Sequence, residues 1–135
     1  MKLLIDANVL LDVLQNREKF VPASSLIWKL CETEKAHGYV SSLTFANLVY
    51  IMRKELDPEQ ITDVLKKLSF IFEFTELAPV DLDRAAQLLW DDFEDALQSV
   101  TAKRLNADYI ITRNVRDFKG SEVPALTPDE LLNRI

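Results

Sequence analysis

Residues 2–14 read KLLIDANVLLDVL, and the fold class turns on how that stretch divides. Lys2 to Ile5 is a short apolar run that stops at Asp6, whereas Val9, Leu10, Val13 and Leu14 recur at the spacing of one helix face. A strand that passes straight into a helix has no hairpin partner beside it in sequence. Its neighbours in a sheet must therefore arrive through crossovers, which makes them parallel to it.

Further along the chain the same alternation returns. Ala23 to Ala36 carries Leu26, Ile27, Leu30 and Cys31 on one helical face, with Gly38 as the expected stop and His37 as a last-turn residue favoured by the helix dipole. Tyr39-Val40 predicts a short strand ending in Ser41-Ser42. A helix is expected over 44–56, and Asp57-Pro58 breaks it and starts another through Leu68. Residues 70–80 are strand-like in parts. Asp81 is the N-cap candidate of a helix to Trp90, and another helix follows over 92–106. Asp108 to Thr112, DYIIT, is a β-branched and aromatic strand. A weak strand over 123–126 leads to a short helix entered at Thr127-Pro128. Strands separated by helices predict a three-layer α/β/α sandwich around a mainly parallel central sheet.

The 135 residues hold 16 Lys and Arg against 22 Asp and Glu, a net charge of −6. At this length one domain, 1–135, is expected, burying about two thirds of its unfolded surface without a disulfide or structural metal. Hydrophobic residues at 48% and charged residues at 28% exclude the composition of a disordered chain. No apolar run approaches a membrane span, and LLI runs straight into Asp6 without a signal-peptide pattern, so the expected compartment is the cytoplasm. A single Cys and a single His leave no set of zinc ligands. The acidic balance argues against holding nucleic acid by bulk electrostatics, yet clustered carboxylates that recruit divalent cations reverse the local field.

In an open parallel sheet the ligand crevice lies beyond the carboxyl ends of the strands. Asp6 and Asn8 follow the first strand, Ser41-Ser42 the second, and Asn114 and Asp117 follow DYIIT. Asp92 and Asp95 sit at i and i+3 in the first turn of a helix, so they share one side of its N-terminus. Three segments can therefore aim carboxylates at one crevice. Such oxygen donors suit Mg²⁺ or Mn²⁺, which would activate a water for in-line attack on a phosphodiester. Each acid also has a plainer role. Asp6 can cap the first helix, Asp92 can cap Asp95, Asp117 can be a turn residue and Asn114 can cap a helical turn. Thr112 and Arg113 read as groups that orient a phosphate. Neither a Gly-rich phosphate loop nor a Ser-His-Asp set is present, which removes P-loop enzymes and triad hydrolases.

Four blocks, LLIDANVLLDVL at 3–14, SSLTFANLVYIMRK at 41–54, DFEDALQSVTAKRLNADYIITRNVRDF at 92–118 and VPALTPDELL at 123–132, together resemble the PIN-domain family, and within it proteins similar to VapC-type toxins. The resemblance implies an Mg²⁺- or Mn²⁺-dependent endoribonuclease cleaving single-stranded or structured RNA, the toxin of a type II toxin–antitoxin module. It implies a cognate antitoxin protein and a homodimer as partners, and the apolar positions of the early helices place the expected docking groove near Trp28 or Tyr50. Residue by residue, Asp6 matches the family's first acid and Asp95 the acid of the D-A-L helix start. The last acidic position falls on Asn114 or Asp117, and Asp92 is an additional acid in this chain's DFED pattern. Asn47 stands where the family usually carries a catalytic Glu. Asp6, Asp95, Asp117 and Asp92 are thus the expected metal set, with Asn47, Asn114 and Asn8 beside them. The alternative reading is a degenerate PIN domain that binds RNA or protein without cutting.

Overall fold

The first strand forms where Leu3, Leu4 and Ile5 can all be buried, and it stops where Asp6 turns its side chain back on the next residue. A computed structural model describes residues 1–135. β1 (Lys2–Ile5) runs into α1 (Ala7–Leu14) and α2 (Val21–Glu32), and β2 (His37–Ser41) into α3 (Ser42–Ile51) and α4 (Pro58–Ile71). β3 (Glu73–Thr75), α5 (Pro79–Gln87), α6 (Phe93–Arg104), β4 (Tyr109–Ile111), a one-turn 3-10 helix (Val115–Phe118), β5 (Ala125–Leu126) and α7 (Pro128–Leu132) complete the chain. The five strands are all parallel in the order β3-β2-β1-β4-β5. The expected α/β architecture with a parallel sheet is therefore what the chain forms.

β1 lies at the centre because it is buried on both faces. Leu3 and Ile5 enter the larger core with residues of α1, α2, α4 and α7. Leu4 points the other way, into a smaller cluster with Tyr39, Ile110, Phe118 and Ala102 of α6. Ala85, Ala96, Leu97 and Val100 then weld α5 to α6 on that second face. From β1 the chain moves outward to β2 and β3, then crosses back to place β4 on the other side of β1. That reversal is a topological switch point, and it opens a crevice at the carboxyl ends of β1 and β4.

Several local expectations are corrected. The second helix ends at Glu32, and His37 and Gly38 belong to β2 rather than to a helix terminus. Gly38 is required for space: a Cβ there would lie 2.7 Å from both Cys31 Sγ and Phe72 Cδ1. His37 stacks on Tyr39, with Nε2 3.2 Å from a Glu73 oxygen. α3 closes at Ile51, five residues earlier than expected. Asp57 caps α4 in a reciprocal capping box with Gln60, as its position before Pro58 predicts. Asp81 is not an N-cap, because Pro79 starts the helix and places Asp81 at its third position, fully buried. Burial pushes the Cys31 thiol up to about 12, so it behaves as a core residue rather than a nucleophile.

Candidate functional site

At the end of β1 the Asp6 carboxylate does two jobs. Its Oδ1 accepts the Ala7 backbone N–H at 2.8 Å, which caps α1. Its Oδ2 accepts the Thr112 hydroxyl at 2.8 Å and the Asn8 amide at 3.3 Å. Thr112, fully buried at the end of β4, also accepts the Asn114 backbone N–H at 3.0 Å and the Asn8 amide at 3.3 Å. The Asn8 carbonyl oxygen in turn accepts the Arg113 N–H at 3.2 Å. These bonds stitch the two central strand ends together and fix one face of Asp6. Thr112 is therefore spent on holding Asp6, not on a phosphate.

Arg113 is likewise committed. Its Nε donates to Asp12 Oδ2 at 3.0 Å, and its guanidinium lies 3.9 Å from the centre of the Phe20 ring. Asp12 has no exposed surface and also accepts the Ser24 hydroxyl at 2.8 Å, with an Arg17 nitrogen 3.6 Å away. A lone acid inside the apolar run LLDVL was the sequence signal for that buried pair.

The second acid arrives from α6. Asp92 accepts the Asp95 backbone N–H at 3.1 Å and so caps the helix, and Asp95 lines the crevice. The Asp95 carboxyl is pushed up to about 7, first by burial and then by the charges of Asp92, Asp6 and Asp117. Asp6 is raised as well, by burial above all, with Asp117 adding repulsion and the bonds from Thr112 and Ala7 working against it. Asp117 is exposed on the 3-10 turn, and its charge reaches both of the other acids. Asn114 is exposed and caps that turn through its backbone only. Of the two residues left open at the last acidic position, Asp117 is the one that acts on Asp6 and Asp95.

Asn47 projects from α3 into the same place. Its amide donates to Glu94 Oε2 at 3.1 Å, and with Asp6, Tyr50, Asp95 and Gln98 it lines a pocket of about 290 Å³ between α3 and α6. Glu94 is thus a site acid that its exposed place in the helix opening did not single out. Gln98 lies one turn after Asp95 on the same helix side, a spacing visible in the sequence. It favours the charged form of Asp6, yet its buried Nε2 completes no hydrogen bond. On the other side of Asp95 a second hollow, of about 380 Å³, is lined by Trp90, Asp92, Arg116 and Asp117. A larger hollow of about 510 Å³ lies at the amino end of the sheet around Gly38 and Phe72, away from these acids.

The donor set fits a hard divalent cation. As the side chains stand, no three acidic groups converge on one point, so any ion here would have one or two carboxylates and complete its shell with water and phosphate oxygens. That is how Mg²⁺ is commonly held.

The raised Asp95 sets a pH dependence. Its folded value, about 7, exceeds the ordinary 3.8, so the fold prefers the neutral acid. The stability it contributes is present at low pH and is lost as pH rises from the ordinary carboxylate range through about 7. In metal-free protein, the melting temperature of Asp95→Asn minus that of wild type should grow over this window and level off above it. A difference that does not change with pH would refute the assignment.

With the geometry in hand, comparison with known proteins gives a consistent answer. A family model described as PIN domain matches residues 2–116. No curated protein matches the sequence. Among solved structures the chain is similar to VapBC2 from Rickettsia felis bound to a DNA fragment from its promoter, with 18% identity over 94% of this chain and 98% of that one and a TM-score of 0.73. It is similar to a toxin–antitoxin complex from Klebsiella pneumoniae, with 23% identity, 93% and 96% coverage and a TM-score of 0.71. VapBC-1 from nontypeable Haemophilus influenzae aligns at 17% identity, 96% and 99% coverage and a TM-score of 0.72. At these identities the structural likeness establishes the fold.

Proposed function

This chain belongs to the PIN-domain family, and from that premise we propose that it is a Mg²⁺- or Mn²⁺-dependent endoribonuclease, the toxin half of a type II toxin–antitoxin module. The observation that carries the reading is the placement of Asp6 and Asp95 in one pocket at the switch point of the sheet, close enough to Asp117 for its charge to act on both. Repelling carboxylates gathered in one crevice are most readily accounted for by a cation that they share. Bound there, the ion would neutralise part of the phosphate charge and activate a water for in-line attack.

The chain's own residues do the positioning. Thr112, Asn8 and the Ala7 backbone hold Asp6 rigidly, which leaves little reorganisation for ligand binding. Asp92, spent as a cap, orients Asp95 through the helix backbone. The acid missing at Asn47 has a substitute within reach, because the Glu94 carboxylate lies 3.1 Å from the Asn47 amide. Asp6 and Asp95 are the proposed ligands, with Asp117, Asp92 and Glu94 adding negative charge.

An antitoxin partner fits the same family reading, since several solved neighbours are toxin–antitoxin complexes. Trp28 is buried and offers no docking surface. Tyr50 and Ile51 are 65% and 47% exposed beside the acidic pocket, where a partner's apolar side chain and a basic one could be accepted together. No helix is long and apolar enough to cross a membrane.

The decisive experiment uses protein freed of any partner. Single-stranded RNA should be cut in Mg²⁺ or Mn²⁺ and remain intact in EDTA, and Mn²⁺ alone should raise the melting temperature. Undiminished cleavage in chelator would defeat the metal mechanism. The neutral amide at Asn47 favours the rival reading, a degenerate binding module, which predicts neither cleavage nor a metal-dependent rise.

A further inference from the structure

The pocket between α3 and α6 contains an amide donor that completes no hydrogen bond in the folded chain, although it lies near enough to Asp6 to favour that acid's charge. Gln98 is 8% exposed, lies in the middle of α6 and shares the pocket wall with Asp6 and Asp95, but its Nε2 has no hydrogen-bond partner. Burying an amide donor unpaired costs free energy, so an apolar residue of the same length would serve the helix better. The cost is recovered if a ligand supplies the acceptor. In a pocket walled by carboxylates, the group offered is a hydrogen-bond donor on a neutral side chain, which can approach an anionic phosphate where another acid could not. The rim adds the largely exposed Tyr50 and the half-exposed Ile51, and the Arg53 guanidinium lies 4.1 Å from the centre of the Tyr50 ring.

We propose that Gln98 is a substrate-contacting residue whose amide donates to the ribose–phosphate of one RNA nucleotide seated in this pocket, with the base against Tyr50. The proposal rests on the ribonuclease reading and adds to it the site that holds the nucleotide next to the cleavage centre. Aromatic rings are tolerant platforms for any base, so sequence preference is not expected to come from Tyr50.

Methionine matches glutamine in length and helix preference, so Gln98→Met removes the amide with little change in packing. Three measurements decide the matter: the melting temperature of metal-free protein, the affinity for a fluorescein-labelled mixed-sequence oligoribonucleotide, and cleavage of the same RNA in Mn²⁺. Affinity is read in the Asp95→Asn background so that turnover does not interfere. The expected result is a melting temperature unchanged or higher, with RNA bound roughly ten-fold to a hundred-fold more weakly. A lowered melting temperature would make the amide a structural contact of Asp6 and overturn the proposal, as would unchanged RNA affinity. Unchanged RNA binding combined with loss of a co-purifying protein would assign the donor to that partner instead, which also overturns it. Wild-type cleavage tests the ribonuclease reading separately: if wild type does not cut while Gln98→Met still weakens RNA binding, that reading fails and the nucleotide site stands.

Discussion

Asp95→Asn should lower metal-dependent RNA cleavage by at least about a hundred-fold while raising the melting temperature of the metal-free protein, since loss of a residue merely supporting a metal ligand already costs ten-fold to a hundred-fold. The two effects have one origin. Asp95 is half-buried and faces the charges of Asp92, Asp6 and Asp117, so a neutral isostere relieves repulsion and desolvation together. Its backbone N–H, which Asp92 caps, is untouched, and the new amide can donate toward Asp92. Asp6→Asn should also lose activity but should not gain stability. Asp6 Oδ2 accepts from the Thr112 hydroxyl and the Asn8 amide, and an amide nitrogen placed there would meet two donors. Rotating the amide would move the clash to the Ala7 N–H. Cleavage assays and thermal melts on the two variants check this, and retention of activity in Asp95→Asn within a few-fold of wild type would remove Asp95 from the mechanism.

Arg104→Leu is expected to be strongly destabilising on the second face of the sheet. Asp81 has no exposed surface, and three hydrogen bonds of 2.9 to 3.1 Å tie it to Arg104. Arg104 also donates to the Glu76 carbonyl at 3.0 Å, so it fastens the entry to α5 onto the end of α6. Removing the cation strands a buried carboxylate whose remaining partner is the Ala78 N–H. The cost should be about 3 kcal/mol, toward the lower end for a broken buried pair because Arg104 is partly open to water. A fall of roughly 10 °C in melting temperature corresponds to that cost in a chain of this size. Replacing Asp81 by Leu as well should recover much of it, as the isolated charge is then gone. Nine residues of helix, about 13 Å, separate Arg104 from Asp95, so RNA cleavage measured below the transition should change little. A shift of only a degree or two would mean that Asp81 remains solvated.

Asp6, Asp92 and Asp95 are legible in the sequence for a physical reason. A carboxylate at the end of an apolar strand, or in the first turn of a helix, lies where local chain geometry alone limits what it can do. Asp81 misleads because the same local rule points to a cap, while its true partner is 23 residues away. Gly38 misleads in the same way: glycine after a helical pattern predicts a stop, but here it answers to the Cys31 and Phe72 side chains that press on it. Periodicity places Gln98 beside Asp95 without revealing whether its amide has a partner. The choice between Asn114 and Asp117 likewise depends on how far the 3-10 turn carries each side chain. Local chemistry thus locates the strands and most of the acids, whereas the contents of the pocket follow from which helices meet across it.

The bond from Thr112 to Asp6 spans 106 residues, and the central strand that bears Asp6 gains its β4 partner only after most of the chain has been made. During synthesis, then, the first 75 residues can pair β1 with β2 and β2 with β3 while the first carboxylate still lacks the groups that orient it. The site is expected to be a late product of folding, since contacts this remote in sequence are slow to close. A stalled or prematurely terminated chain would carry Asp6 without its brace, and a cell translating this gene would meet an assembled acidic crevice only on finished molecules.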